Sequence, residues 1–305
     1  MINIILKSIN NLPLSVIAIL FMIVSGMFAA SMHCLIRVSA LESHPFQIAF
    51  FRTLFVLIIF LPIVLKDGLK SLEIVNKKLQ FTRAIVGSGA MCCMFYGISI
   101  TELSKATALM FTVPIFSTML AILFLKEQVG IRRWTAMVIG FIGAIIVIRP
   151  DIEFGLGPLL ILCGSFIWSW SLLIAKKLTT TETNTSMTFW QAAGLIPATF
   201  LVAIPFWSSP NLDQLFLYLL VAIFGTMTHY CLNAALAKAD ISSLLPLDYL
   251  RLIWSVSLGF IFFNEIPLIT IWIGSAIIIL STSYIAYRQL KKSKQPLTNQ
   301  LNPNL

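Results

Sequence analysis

The sequence predicts an all-α membrane protein, with ten transmembrane helices arranged as two inverted five-helix halves. Three observations carry that prediction. First, 58% of the 305 residues are hydrophobic and only 11% are charged, whereas soluble domains carry about 25% charge; the mean hydropathy is +0.93. Second, the apolar residues gather into ten runs, each near the roughly 20 residues that cross about 30 Å of hydrocarbon. Third, landmarks of the first half recur 138 residues later in the second.

The runs lie at about 14–36, 46–65, 81–100, 105–125, 132–149, 156–175, 185–206, 213–236, 242–263 and 267–287. Lys7 precedes span 1, and FAAS at Phe28–Ser31 resembles a cleavage site. The run from Leu12 to Leu35 is too long for a secretory h-region, and the internal repeat includes it, so it reads as a membrane helix. The longest polar gap, Lys66 to Gln80, separates spans 2 and 3. Span 4 contains Pro114 and closes on Glu127, and Trp134 follows seven residues later. The second half repeats this pattern with Glu265 and Trp272, and Gly26, Phe28, Ser31 and Cys93 meet Gly164, Phe166, Ser169 and Cys231. The halves are thus 14–149 and 155–287. The tail 288–305 is charged, then rich in Pro and Asn, a composition that does not pack a core.

An odd number of helices per half makes the second copy enter the membrane upside down, a common construction of secondary transporters. With the N-terminus inside, sixteen Lys and Arg fall on the cytoplasmic side and three, Arg37, Lys105 and Arg149, on the outer side. Positive charge marks the cytoplasmic face, so both termini are expected there. The net charge of +9 suits anionic lipid headgroups. No basic stripe with interleaved aromatics suggests nucleic acid.

Five cysteines, Cys34, Cys92, Cys93, Cys163 and Cys231, all sit in apolar runs. An odd count with none in a loop argues against a disulfide framework. No CxxC or Cys/His cluster suggests a metal, no cofactor motif is found, and no nucleophile–base–acid set suggests an enzyme. Without a GxxxxGK[ST] motif, transport energy would come from a solute or proton gradient. No feature of the sequence sets an oligomeric state.

Three stretches carry a family resemblance: FQIAFFRTLFVLIIFLP in span 2, KATALMFTVPIFSTMLAILFLKEQVGIRRWTAMVIGFIGAIIVIRP across spans 4 and 5, and PLDYLRLIWSVSLGFIFFNE in span 9. They resemble the drug/metabolite transporter superfamily in its ten-helix bacterial form with two EamA-type repeats. The resemblance covers about residues 14–287. It implies a multi-pass protein of the bacterial inner membrane with a small-molecule substrate, and a central cavity lined by spans 1, 3, 4, 6, 8 and 9. Span 2 would be peripheral. Spans 2 and 4–5 look most like rickettsial S-adenosylmethionine carriers, and more loosely like riboflavin and amino-acid transporters. Uptake or exchange of S-adenosylmethionine is therefore the sharpest expectation. Export of amino acids or other metabolites is the alternative within the class, and a non-transporting scaffold or sensor the alternative outside it.

Candidate site residues are ionisable or polar groups inside apolar runs, because such groups are costly there unless paired or facing a cavity. Asp248 and Arg251, three apart, share a helix face. At 1.5 Å per residue they lie about 9 Å and about 13–14 Å deep. They could line a site or form a purely structural pair. His229 and Asn233 are four apart on span 8. Trp168 on span 6, Tyr96 on span 3 and Thr107 on span 4 add aromatic and hydroxyl groups. His33 and His229 could carry a coupling proton. Arg52 in span 2, the helix-ending Glu127 and Glu265, and the hinge-forming Pro246 are candidates for coupling or gating.

Overall fold

The computed structural model describes residues 13–127, 129–148 and 155–265, with scattered positions between 269 and 284. The described chain is helical throughout. Helices α1 (Leu14–Ser39), α2 (Pro45–Asp67) and α3 (Lys77–Ser99) match spans 1 to 3. Span 4 is two pieces, α4 (Leu103–Met110) and α5 (Thr112–Leu125); then come α6 (Ile131–Ile148), α7 (Leu156–Leu178), α8 (Asn184–Ala203) and α9 (Leu212–Leu236). Span 9 comprises α10 (Ile241–Leu244), a 3-10 segment (Leu245–Leu250) and α11 (Arg251–Phe263).

Seven stretches among the described residues are long and apolar enough to cross a membrane: Leu14–Ser39, Pro45–Ile63, Lys77–Ser99, Lys105–Leu125, Leu156–Leu178, Asn184–Phe206 and Leu212–Leu236. Span 9, expected as one continuous helix, is instead interrupted. Span 10, with Trp272, lies mostly outside the described residues, as do Arg149 and the tail 288–305.

The breaks have local causes. Pro114 brings no N–H to the Met110 carbonyl, and its ring crowds that carbonyl. The helix therefore turns at Phe111, where the Thr112 hydroxyl donates to the Leu109 carbonyl at 2.9 Å. In span 9, Pro246 sits in the first turn of the 3-10 segment, a position that tolerates its missing donor. The two breaks meet: Phe111 and Tyr249 pack edge-on, with ring centroids 4.9 Å apart.

Both interrupted spans end alike. Lys126 (φ 56°) and Asn264 (φ 53°) are the described non-glycine residues in left-handed conformation. The next amides, of Glu127 and Glu265, donate back to Ala121 and Gly259, each at 3.2 Å. The Lys126 and Asn264 amides donate to the same two carbonyls, closing the six-to-one turns of helix C-terminal caps, and every pair of equivalents is 138 residues apart.

Helix α1 packs along α9 and α3 along α7, while α5 packs on α7, α11 on α1, and α2 on α8. The 138-residue shift exchanges the first two pairings with each other, and likewise the next two, and maps the α2–α8 pairing onto itself. Small residues allow the close approaches. A Cβ on Gly97 would come within 2.6 Å of Ile161 Cγ1 and 3.1 Å of the Gly157 carbonyl. Two apolar clusters fill the bundle. One joins the start of α1 to the C-terminal halves of α7 and α9; the other joins the end of α1 to α3 and the N-terminal half of α9.

The Gly97 contact gives a first test. Gly97→Val should push α3 from α7 and cost about 1–3 kcal/mol, read as a lower unfolding temperature in detergent. An unchanged midpoint would contradict that close packing.

Candidate functional site: a charged cavity inside the bundle

A cavity of about 110 Å³ lies where the two apolar clusters meet. Its walls come from α1, α3, α7 and α9 and from the broken spans 4 and 9, as the family resemblance implied. Two further helices contribute: α2 supplies Arg52, and α8 supplies Gln191 and Leu195. Span 2, expected to be peripheral, therefore reaches the centre.

The charged pair follows from the backbone break. In a 3-10 turn, residues three apart eclipse one another. Asp248 consequently lies directly against Arg251, with Oδ2 and Nη2 3.0 Å apart. Both line the cavity. Since a 3-10 segment rises about 2.0 Å per residue, the 1.5 Å rise assumed from sequence understates its length. Helix α1 packs over the pair at Gly26, where a Cβ would make ordinary contacts, 3.5 Å from Arg251 Cβ and 3.8 Å from Asp248 Oδ1.

Arg52 lines the same cavity and is only 6% exposed. One of its terminal nitrogens donates to the Met91 sulfur at 3.2 Å, and the guanidinium carbon is 5.9 Å from the Phe95 ring centre. Its Nε has no acceptor, and no carboxylate pairs with it among the described residues. Gly225 makes room, because a Cβ there would be 2.6 Å from that Nε.

His33 and His229 also line the cavity, and the Nδ1 of each is buried without a partner. The indole of Trp168 meets the His229 ring edge-on at 5.4 Å. A side pocket of about 20 Å³ shares Arg52, Gln191, Leu195 and His229 with the main cavity.

The structure thus brings together Asp248, Arg251, His229, Trp168, His33 and Arg52. Other candidates lie elsewhere. Asn233 is buried behind the wall, accepting from Arg83 at 3.1 Å and donating to Thr188 at 3.1 Å. Thr107 donates to Ser255 at 2.9 Å, tying α4 to α11. Tyr96 stacks against His44 and Phe46 at the end of α3. In the turn between α1 and α2, His44 lies flat on Phe206 at 3.8 Å, and burial holds it below the ordinary imidazole range. Glu127 accepts from the Ile241 amide at 3.2 Å, docking the start of α10. Glu265 pairs with Arg37, and the Arg37 guanidinium lies 4.2 Å from the Phe263 ring centre. Pro246 shapes the 3-10 turn through its backbone.

Sequence reasoning missed three features. Arg83 is one of the sixteen charges assigned to the cytoplasmic side, at the very start of span 3, but α3 starts at Lys77 and buries Arg83 to 1% exposure. Gln191 is buried with its Oε1 unpartnered. Five methionines, Met22, Met32, Met91, Met94 and Met110, line the cavity. A glutamine in an apolar run is a readable signal; methionines in such a composition are not.

This architecture is that of a membrane carrier. The EamA-like transporter family matches residues 16–149 and again 155–287, and the chain belongs to it. The S-adenosylmethionine uptake transporter of Rickettsia bellii is 30% identical over 81% of this chain and 86% of its own length. The riboflavin transporter of Rhizobium johnstonii is 30% identical over 81% and 83%, and that of Vibrio cholerae is 34% identical over 63% and 65%. A crystal structure superposes with a TM-score of 0.75 over 91% of this chain and 99% of that one at 15% identity, a likeness of fold.

The ion pair generates a second test. Asp248→Asn strands the Arg251 charge and should cost about 3–5 kcal/mol, whereas the double substitution Asp248→Asn/Arg251→Gln should cost less than the single one. Thermal unfolding of the three purified proteins measures this. A double variant less stable than Asp248→Asn would contradict the pairing.

Proposed function

We propose that this chain is a secondary carrier that moves a small amphoteric metabolite across the bacterial inner membrane by alternating access. One observation carries the reading: a cavity inside a membrane-spanning bundle holds the Asp248–Arg251 pair and the unmatched Arg52. Charge in hydrocarbon is retained where it serves a pathway. Asp248 offers an anionic pole, the arginines offer cationic poles, and Trp168 and Phe95 offer flat surfaces between them. Asn233, Thr107 and Tyr96 support the site from outside the cavity.

The ten spans are read as two inverted repeats, 14–149 and 155–287, with both termini cytoplasmic. The matched caps at Lys126 and Asn264 and the helix pairings related by the 138-residue shift support this arrangement. Glu127 at the start of span 9 and Glu265 on Arg37 are then latches on opposite faces. His33 and His229 are the groups available to carry a coupling proton.

S-adenosylmethionine is the favoured solute. It presents an ammonium, a sulfonium and a carboxylate together with a flat base, and the Rickettsia relatives bear its name. Riboflavin is the second reading, favoured by the aromatic wall and by the name of other relatives. Uptake into proteoliposomes containing the purified protein tests both. Labelled S-adenosylmethionine should accumulate saturably and be displaced by unlabelled compound. Saturable flux of riboflavin alone would select the second reading, and flux of neither, with or without a pH gradient, would contradict both.

The outer latch can be read with a native thiol, since Cys34 is buried one turn before Arg37. With the other cysteines replaced by serine, Glu265→Gln should speed labelling of Cys34 by an impermeant maleimide added outside. An unchanged rate would remove Glu265 from gating.

A further inference from the structure

We infer that the side pocket at Arg52 is a carboxylate subsite: the transported solute bears a carboxylate, and the Arg52 guanidinium holds it. This rests on the carrier reading and adds the chemistry of one end of the solute. Three arginines are buried in the described bundle, and they are not alike. Arg251 has Asp248 at 3.0 Å. Arg83 has the Asn233 amide oxygen at 3.1 Å and the Met187 carbonyl at 3.4 Å. The Nε of each lacks an acceptor, so the difference lies at the terminal nitrogens, where Arg52 has only the Met91 thioether, a weak acceptor. A guanidinium carries five N–H donors in a fork that fits a carboxylate with two bonds.

The surroundings point the same way. Gln191 and His229 adjoin Arg52 in both the side pocket and the main cavity. Gln191 Oε1 and His229 Nδ1 are buried without partners; turned over, the Gln191 amide presents its N–H donors to a carboxylate, and His229 does so in the tautomer protonated at Nδ1. The side pocket, about 20 Å³, admits a small planar group and not a ring system. Because Arg52, Gln191, Leu195 and His229 line both spaces, the rest of the solute can lie in the main cavity against Trp168 with its cationic end toward Asp248. An amino-acid-type solute fills both poles. Riboflavin has no carboxylate and leaves Arg52 unmatched.

Two experiments test this. In proteoliposomes taking up labelled S-adenosylmethionine, Arg52→Gln should raise KM by about 10-fold to 100-fold, the loss expected for a hydrogen bond between charged groups. Arg52→Lys should recover part of that loss, and the decarboxylated analogue should compete correspondingly less well than the parent. Equal competition by the analogue together with an unchanged KM in Arg52→Gln would overturn the subsite.

The second experiment needs no transported solute. The unfolding temperature of the purified protein should rise saturably with sodium acetate, and not with acetamide or with sodium chloride at equal concentration. The Arg52→Gln protein should show no such rise. An equal response to chloride would assign the pocket to a free anion and overturn the carboxylate assignment, as would no response to acetate. Absence of uptake with a positive acetate response would contradict the carrier reading and leave the subsite standing.

Discussion

A charge taken into hydrocarbon must be matched inside the protein, because neither lipid nor water is there to solvate it. The Asp248–Arg251 pair is where this chain meets that constraint most directly. An ordinary helix would place the two side chains merely on the same face. The 3-10 turn stacks them, and α1 packs over them at Gly26. The break in span 9 and the charged pair at the cavity wall are therefore parts of one solution. Arg52 is the exception, since its charge has no match of opposite sign among the described residues.

Across the 138-residue relation, the two repeated halves line the cavity unequally. Asp248 corresponds to Met110 and Arg251 to Val113, and all four line the cavity. One half presents charge where the other presents an apolar wall. Met91, at the position of His229, repeats the contrast. The result is an amphipathic chamber, polar on the span-9 and α9 side and soft on the span-4 and α3 side. Methionines adapt their shape to what they touch. Such a chamber suits a solute with both charged groups and a flat ring.

Most of the scaffold was legible in the sequence because the bilayer imposes length and polarity rules on every span. The charged pair was legible too: an acid and a base inside an apolar run are conspicuous. The backbone break around them was less so, since Pro114 and Pro246 signal a disturbance but do not state its form. What stayed hidden depends on where a helix starts and which way it turns. Arg83 reads as a cytoplasmic charge at the mouth of span 3 until α3 begins four residues earlier, at Lys77. Asn233 and Thr107 are polar residues in apolar runs like the cavity residues, yet they satisfy Arg83 and Ser255 behind the wall. Only the packing of α8 against α2 and α3 reveals Gln191 as a neighbour of Arg52.

The most direct measurement is a structure of the protein determined with S-adenosylmethionine at saturating concentration. Solute density should lie in the cavity between the Asp248–Arg251 pair and Arg52, with its carboxylate on the Arg52 guanidinium. Solute bound elsewhere while this cavity stays empty would contradict the account.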